Sequence, residues 1–176
     1  ALASDNITFD MNLGFISSEV SSDFNVLDNV LAFQYFFGEE SLRYDLRENV
    51  NGNELAKTPD FTADISMTYE TVLSSGNSLT SVLQFVKRGE FMQRVNNNPL
   101  VDVVPAYQIF NISVGIDFKN DLSLDFILLN AADEDGLNSA MTDVFGVAAT
   151  GLEYIPPRQM MTRLSYKFWF NLIIKL

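Results

Sequence analysis

Two arginines four positions apart, Arg43 and Arg47, stand in a stretch that also carries Phe33, Tyr35, Phe36, Phe37 and Tyr44. Guanidinium groups can grip an anionic chelate through paired hydrogen bonds, and rings beside them offer flat apolar surface to a ligand. The plainer account has the arginines neutralising Glu39, Glu40, Asp45 and Glu48, with the rings packed on each other or extending strands into an aromatic belt; we favour it. A second group, Asp133, Glu134 and Asp135, invites a calcium reading, since hard cations want several carboxylate oxygens. Three consecutive acids do not converge on one ion without special backbone geometry, so a solvated loop tip is the preferred reading there.

Other chemistry is excluded by residue type. The chain has no cysteine and no histidine, so a Ser-His-Asp triad, a Cys-His pair and a thiolate or imidazole zinc site are all impossible within it. We therefore expect no enzyme, no catalytic residue, no metal site and no cofactor. The formal charge of −12 comes with only 11 basic residues, which are scattered. Nucleic acid binding, which needs clustered Lys and Arg, is not expected. No apolar run approaches the roughly 18 residues of a spanning helix. The sequence opens on Ala1 without methionine or a basic leader, and is expected to be a piece of a longer protein.

What must position these residues is a set of strands. Tyr107 to Asn130 organises the chain: Phe110, Ile112, Val114, Ile116 and Phe118 fall on one face, with Asn111, Ser113, Gly115 and Asp117 on the other. After the turn Lys119-Asn120-Asp121, Leu122, Leu124, Phe126 and Leu128 share a face; Ser123 and Asp125 look the other way, joined by Ile127 and Leu129. The same period of two runs through Ile7 to Phe15, through Phe61 to Glu70 after Pro59, less regularly through Leu79 to Phe91, and through Met160 to Phe168. Residues 1–6 read as a turn.

The connections sort by length. Short ones (4–6, 74–78, 119–121) alternate with a medium one (92–105) and long ones (17–57, 131–156), and the first long one has room for extended structure of its own. A soluble sandwich has no reason to place long connections at one edge, whereas bacterial outer-membrane barrels have short periplasmic turns and long extracellular loops. The strands, about 9 to 13 residues, have membrane-spanning length. The fold class is thus all-β, an antiparallel transmembrane β-barrel, with about six strands forming an arc of a larger cylinder. Most acidic residues fall on the long connections, and the segment 131–156 holds nothing basic. The apolar faces carry essentially no charge except Lys87, which would cost about 2 to 4 kcal/mol at a bilayer midplane; either it lies near an interface or the register of that irregular strand differs from the alternation drawn here.

Three passages resemble one family, the C-terminal end of the barrel of a TonB-dependent outer-membrane receptor. NGNELAKTPDFTADISMTYE (residues 51–70) resembles the family's lead-in to a strand followed by an alternating run ending in Tyr. YQIFNISVGIDFKNDLSLDFILLNAADED (107–135) resembles its penultimate hairpin, with Asn130 where the family has Asn before an acidic segment. PPRQMMTRLSYKF (156–168) resembles the closing strand, in which Tyr166 and Phe168 would be the aromatic assembly signal read by the barrel-assembly machinery. Residues 1–168 would form this C-terminal segment. The apolar tail 169–176 departs from the pattern, since the family's chain stops at the last Phe.

The resemblance implies an outer-membrane active-transport receptor of a Gram-negative bacterium for a scarce ligand of the siderophore, cobalamin or glycan class. Phe33, Tyr35, Phe37, Arg43, Tyr44 and Arg47 would be candidate ligand contacts on an extracellular loop. Implied partners are outer-membrane lipid, lipopolysaccharide and a TonB-type energy-transducing protein. That protein would act through a plug region and TonB box lying outside this chain. The alternatives are a passive porin-like or structural barrel, an outer-membrane enzyme, disfavoured by the lack of histidine, and a soluble β-sandwich or lipocalin-like binder. The sandwich requires the apolar rows to pack against a second sheet.

Overall fold

The computed structural model describes residues 2–30, 46–143 and 149–168. Its strands are β1 (Leu2–Ser4), β2 (Ile7–Phe15), β3 (Asn25–Leu27), β4 (Arg47–Asn49), β5 (Phe61–Val72), β6 (Ser78–Arg88), β7 (Phe91–Met92), β8 (Val103–Val104), β9 (Tyr107–Asp117), β10 (Leu122–Leu129), β11 (Leu137–Thr142), β12 (Thr150–Tyr154) and β13 (Gln159–Tyr166). Seven of them form one sheet in the order β1-β2-β5-β6-β9-β10-β13. Every pairing in it is antiparallel. The remaining six make three small ribbons, β3–β4, β7–β8 and β11–β12.

The register explains why alternation was such a clear signal. Phe9, Met67, Leu83, Ile112, Leu128 and Met160 are successive cross-strand partners, giving one apolar row across six strands. A neighbouring row runs Met11, Ile65, Phe85, Phe110, with the last two rings 5.0 Å apart. Because side chains alternate with a period of two, every strand contributes to this face together. No second sheet of the described residues covers it: Met11, Leu83 and Leu164 keep 64, 46 and 68 % of their surface. Among the described residues no sandwich that would bury these rows forms.

Lys87 lies one residue from the end of β6, opposite Ala63 and Gln108, with its ammonium 5.9 Å from the Phe61 ring centre. It therefore stands at the end of the strand and not in its middle. The short turns lie together at the other end. Gly76, at φ +78°, makes the turn after β5, and Lys119 from the next short turn rests where a Cβ would stand. A side chain at position 76 would meet both the backbone restriction and that lysine.

Two expectations change. Residues 1–6 are not only a turn, since β1 pairs with β2 and raises the sheet to seven strands. The run from Leu79 to Phe91 is two strands, β6 and β7, separated at Gly89 and Glu90. The long connections carry extended structure, as the first was expected to: each contains part or all of a ribbon, and of the five buried apolar residues among those described, Val50, Val104 and Ala140 sit in them, with Phe91 at the edge of the second.

Candidate functional site

The sheet's second face carries a hydrogen-bonded polar row. Gln84 Nε2 donates to both Asp64 oxygens (3.0 and 3.2 Å), Asn111 Nδ2 donates to Gln84 Oε1 (3.0 Å), and Asn111 Oδ1 accepts from the Asn130 backbone (2.9 Å). Ser123 donates to Asp117 (2.6 Å) and Arg163 pairs with Asp125 (2.9 Å). Gly115, opposite Asp125, leaves that carboxylate room: a Cβ there would come within 2.8 Å of Oδ1. The face is not uniformly polar, because Val82, Ile127 and Met161 line up in one row with Ser113. Local pairing therefore accounts for the inward acids Asp64, Asp117 and Asp125.

The row ends at Asn130, which turns the chain into the third long connection. Its φ of +48° is tolerated by Asn better than by most residues. The buried amide donates to Glu134 O (3.0 Å) and Pro156 O (3.1 Å) and accepts from Glu134 N (2.9 Å), so it closes the loop at both ends. Asp133 accepts from Arg158 N (2.9 Å) and pairs with its guanidinium at 3.3 Å. The acidic tip thus has a basic partner just beyond the segment in which none was found by sequence.

Beyond the strand ends, two arginines hold the long connections together. The Arg88 guanidinium lies 4.6 and 4.5 Å from the Phe91 and Tyr107 ring centres and donates to the carbonyls of Leu137 and Asn138. It fastens the end of β6 to β11 by ring faces and backbone. Arg94 donates from Nε and Nη2 to the two oxygens of Asp102 (2.6 and 3.1 Å), and from Nη1 to Asp28 (2.9 Å). Both carboxylates are fully buried, and the arginine side chain is 15 % exposed. Burial works against the guanidinium's charge, but the hydrogen bonds and charges of Asp102 and Asp28 outweigh it and hold the Arg94 pKa above the ordinary arginine value. Around them Gln93 Nε2 donates to Thr142 Oγ1 (3.0 Å), and Phe91, Val104 and Ala140 form a small apolar core with Leu137.

This rim also contains an open groove of about 370 Å³ between Lys57 and the β11–β12 ribbon, lined by Ser139, Met141, Gly151, Leu152 and Glu153 as well. It presents one cation and one anion beside small and apolar side chains. Among the described residues no three acids converge on a metal position.

Of the sequence-predicted contacts, Phe33, Tyr35, Phe37, Arg43 and Tyr44 lie outside the described residues, as do Phe36 and the tail 169–176. Arg47 opens β4 opposite Leu27 and is exposed. Tyr166 ends β13 opposite Leu122, its ring 6.1 Å from that of Phe168. Sequence reasoning passed over Asp28, Arg88, Arg94 and Asp102. Asp28, Arg94 and Asp102 leave only the trace of charged residues in stretches without periodicity, and Arg88 that of a charged residue on a less regular strand.

An antiparallel sheet of membrane-spanning strands, one face apolar and exposed, short turns at one end and built connections at the other, is the wall of a β-barrel, open here rather than closed on itself. Comparison with solved structures agrees. The siderophore receptor PiuA from Acinetobacter baumannii superposes on 94 % of this chain with a TM-score of 0.68 at 16 % identity. The chain spans 20 % of that protein's length. No protein-family model and no curated protein sequence matches it.

Proposed function

We propose that the chain is the C-terminal part of the barrel of a TonB-dependent receptor in a Gram-negative outer membrane, taking up a scarce ligand of the siderophore, cobalamin or glycan class. The observation that carries this is the unbroken apolar row from Phe9 to Met160, which suits lipid and is covered by no second sheet among the described residues. The likeness to a siderophore receptor supports the receptor class. On this reading the built rim is extracellular, with lipopolysaccharide around it. The polar face lines the lumen, and a TonB-type partner supplies energy through a plug region encoded elsewhere in the protein. The assembly machinery reads Tyr166 and Phe168 at the end of the closing strand. This segment supplies wall and rim, with no chemical step of its own.

The test is uptake in cells with and without the gene, using ferric catecholate, ferric hydroxamate and cyanocobalamin as probes, before and after collapse of the inner-membrane proton gradient. Accumulation of one probe that depends on both the gene and the gradient is the expected result. Uptake indifferent to the gradient, together with steady conductance of the purified protein in planar bilayers, would establish the passive barrel in its place.

A further inference from the structure

We infer that Arg94 couples the three long connections, so that a displacement of one is handed to the other two. The inference goes beyond the transport reading and holds whatever ligand the rim takes.

Arg94 belongs to the second connection, and its grip on Asp102 closes that connection on itself: Asp102 Oδ2 also accepts from Asn98 N (2.7 Å) and its carbonyl from Gln93 N (2.7 Å). The third nitrogen reaches Asp28 in the first connection. Asp28 is the residue that fixes both arms of that connection, accepting from Val30 N (2.8 Å) and donating its own N–H to Leu46 O (2.9 Å). Toward the third connection, Gln93 beside Arg94 donates to Thr142, whose hydroxyl meets that of Thr150 at 3.0 Å across the ribbon.

Other bonds cross between connections: Asn29 to Asp143 O, Asn53 to the carbonyls of Val95 and Asn96, and Lys57 N to Met92 O. Each is neutral at its acceptor, and water can replace a bond of this kind when the loops separate. The Arg94–Asp28 link is charge-assisted, and parting the first connection from the second would take the buried Asp28 carboxylate away from its counter-ion while Asp102 keeps Arg94. That asymmetry makes Arg94, rather than the number of crossing bonds, the tie that decides whether the first and second connections part, with the third joined through Gln93 beside it.

The experiment is pulsed dipolar spectroscopy on the intact protein in detergent, with spin labels at Leu27, Leu100 and Met141, one exposed residue in each connection. A pair on the short turns, Ser75 and Asn120, serves as the control. The parent should give narrow distance distributions. Arg94→Met should widen the 27–141 and 27–100 distributions about twofold with the control unchanged, and Arg94→Lys, which keeps charge but not the planar fork, should fall between. Asp28→Ala, which leaves the Arg94–Asp102 pair intact, should widen 27–141 and leave 100–141 narrow; it carries the test if Arg94→Met does not assemble. Distributions that stay narrow in both Arg94→Met and Asp28→Ala, or in Asp28→Ala alone where the first variant fails, would overturn the inference.

Discussion

The wall and the rim of this molecule are built from the same residue types placed in opposite order. In the wall, Leu83, Phe110 and Leu124 face outward and Asp64, Gln84 and Asn111 face the other way. In the rim, Phe91, Val104 and Ala140 are enclosed, with Asp28 and Asp102 buried beside them. A residue's polarity therefore does not say whether it is inside; the solvent at that height does. The wall suits hydrocarbon on one face, while the rim has the enclosed core and paired ions of a small water-soluble domain. Substitutions of the same kind should behave differently in the two regions.

The largest effect is expected in the rim. Arg94→Met strands two buried carboxylates and should cost the rim about 3 to 5 kcal/mol, read as accelerated hydrogen exchange in residues 91–104 and 137–143 with β5, β6 and β9 unaffected. The pairing should not respond to mild alkali. Because the folded-state pKa of Arg94 is raised, its contribution is fully present below the ordinary arginine value and fades only as pH climbs through the elevated one. Exchange rising equally in the wall strands would mean that wall and rim are one cooperative unit, and the contrast would fail.

Next comes the wall's apolar face. Phe126→Arg, at the middle of β10 and facing outward, should destabilise folding into lipid by about 2 to 4 kcal/mol, whereas Ser113→Arg on the opposite face should cost less than about 1 kcal/mol. Urea titration of folding into vesicles measures both. Equal costs would show that lipid does not touch the Phe126 face, and the membrane reading would fall with that result.

The same contrast explains what could be read from sequence. Ile7 to Phe15 and Phe61 to Glu70 were legible because lipid on one side and polar surroundings on the other impose a strict alternation, and the register bears out every face assigned to them. Gly89 and Glu90 interrupt such a pattern without announcing it, so β6 and β7 read as one strand. The rim was illegible for a physical reason. Its core is made by residues as distant as Phe91 and Ala140, and its ion pairs join Asp28 to Arg94 across 66 positions, so no local period exists to detect. Asn130 is the intermediate case: the resemblance singled it out, and only the structure supplies its bonds.

Asn130 can therefore test where wall gives way to rim. Asn130→Ala removes the amide that bonds Glu134 and Pro156 and places a Cβ-bearing residue without a local partner at φ +48°; a loss of about 2 kcal/mol is expected. Asn130→Gly removes the same bonds but relieves the backbone, and should recover about 0.5 to 1 kcal/mol of that loss. Thermal unfolding of the two variants separates the terms. Identical losses would assign the whole effect to the amide.

The smallest effect is expected from an arginine whose ion pair matches the Arg94–Asp28 pair in distance. Arg163 meets Asp125 at 2.9 Å, the same distance as Arg94 to Asp28, yet the Arg163 side chain is 67 % exposed and Asp125 24 %, against 15 % and none in the rim. On the polar face water competes for both partners, and removing the cation leaves a carboxylate that water can still solvate. Arg163→Met should thus change stability by no more than about 0.5 kcal/mol in the same unfolding assay, roughly a tenth of the Arg94→Met effect. If the two variants proved equally damaging, distance and not burial would govern ion pairs here, and the difference drawn between wall and rim would lose its physical basis.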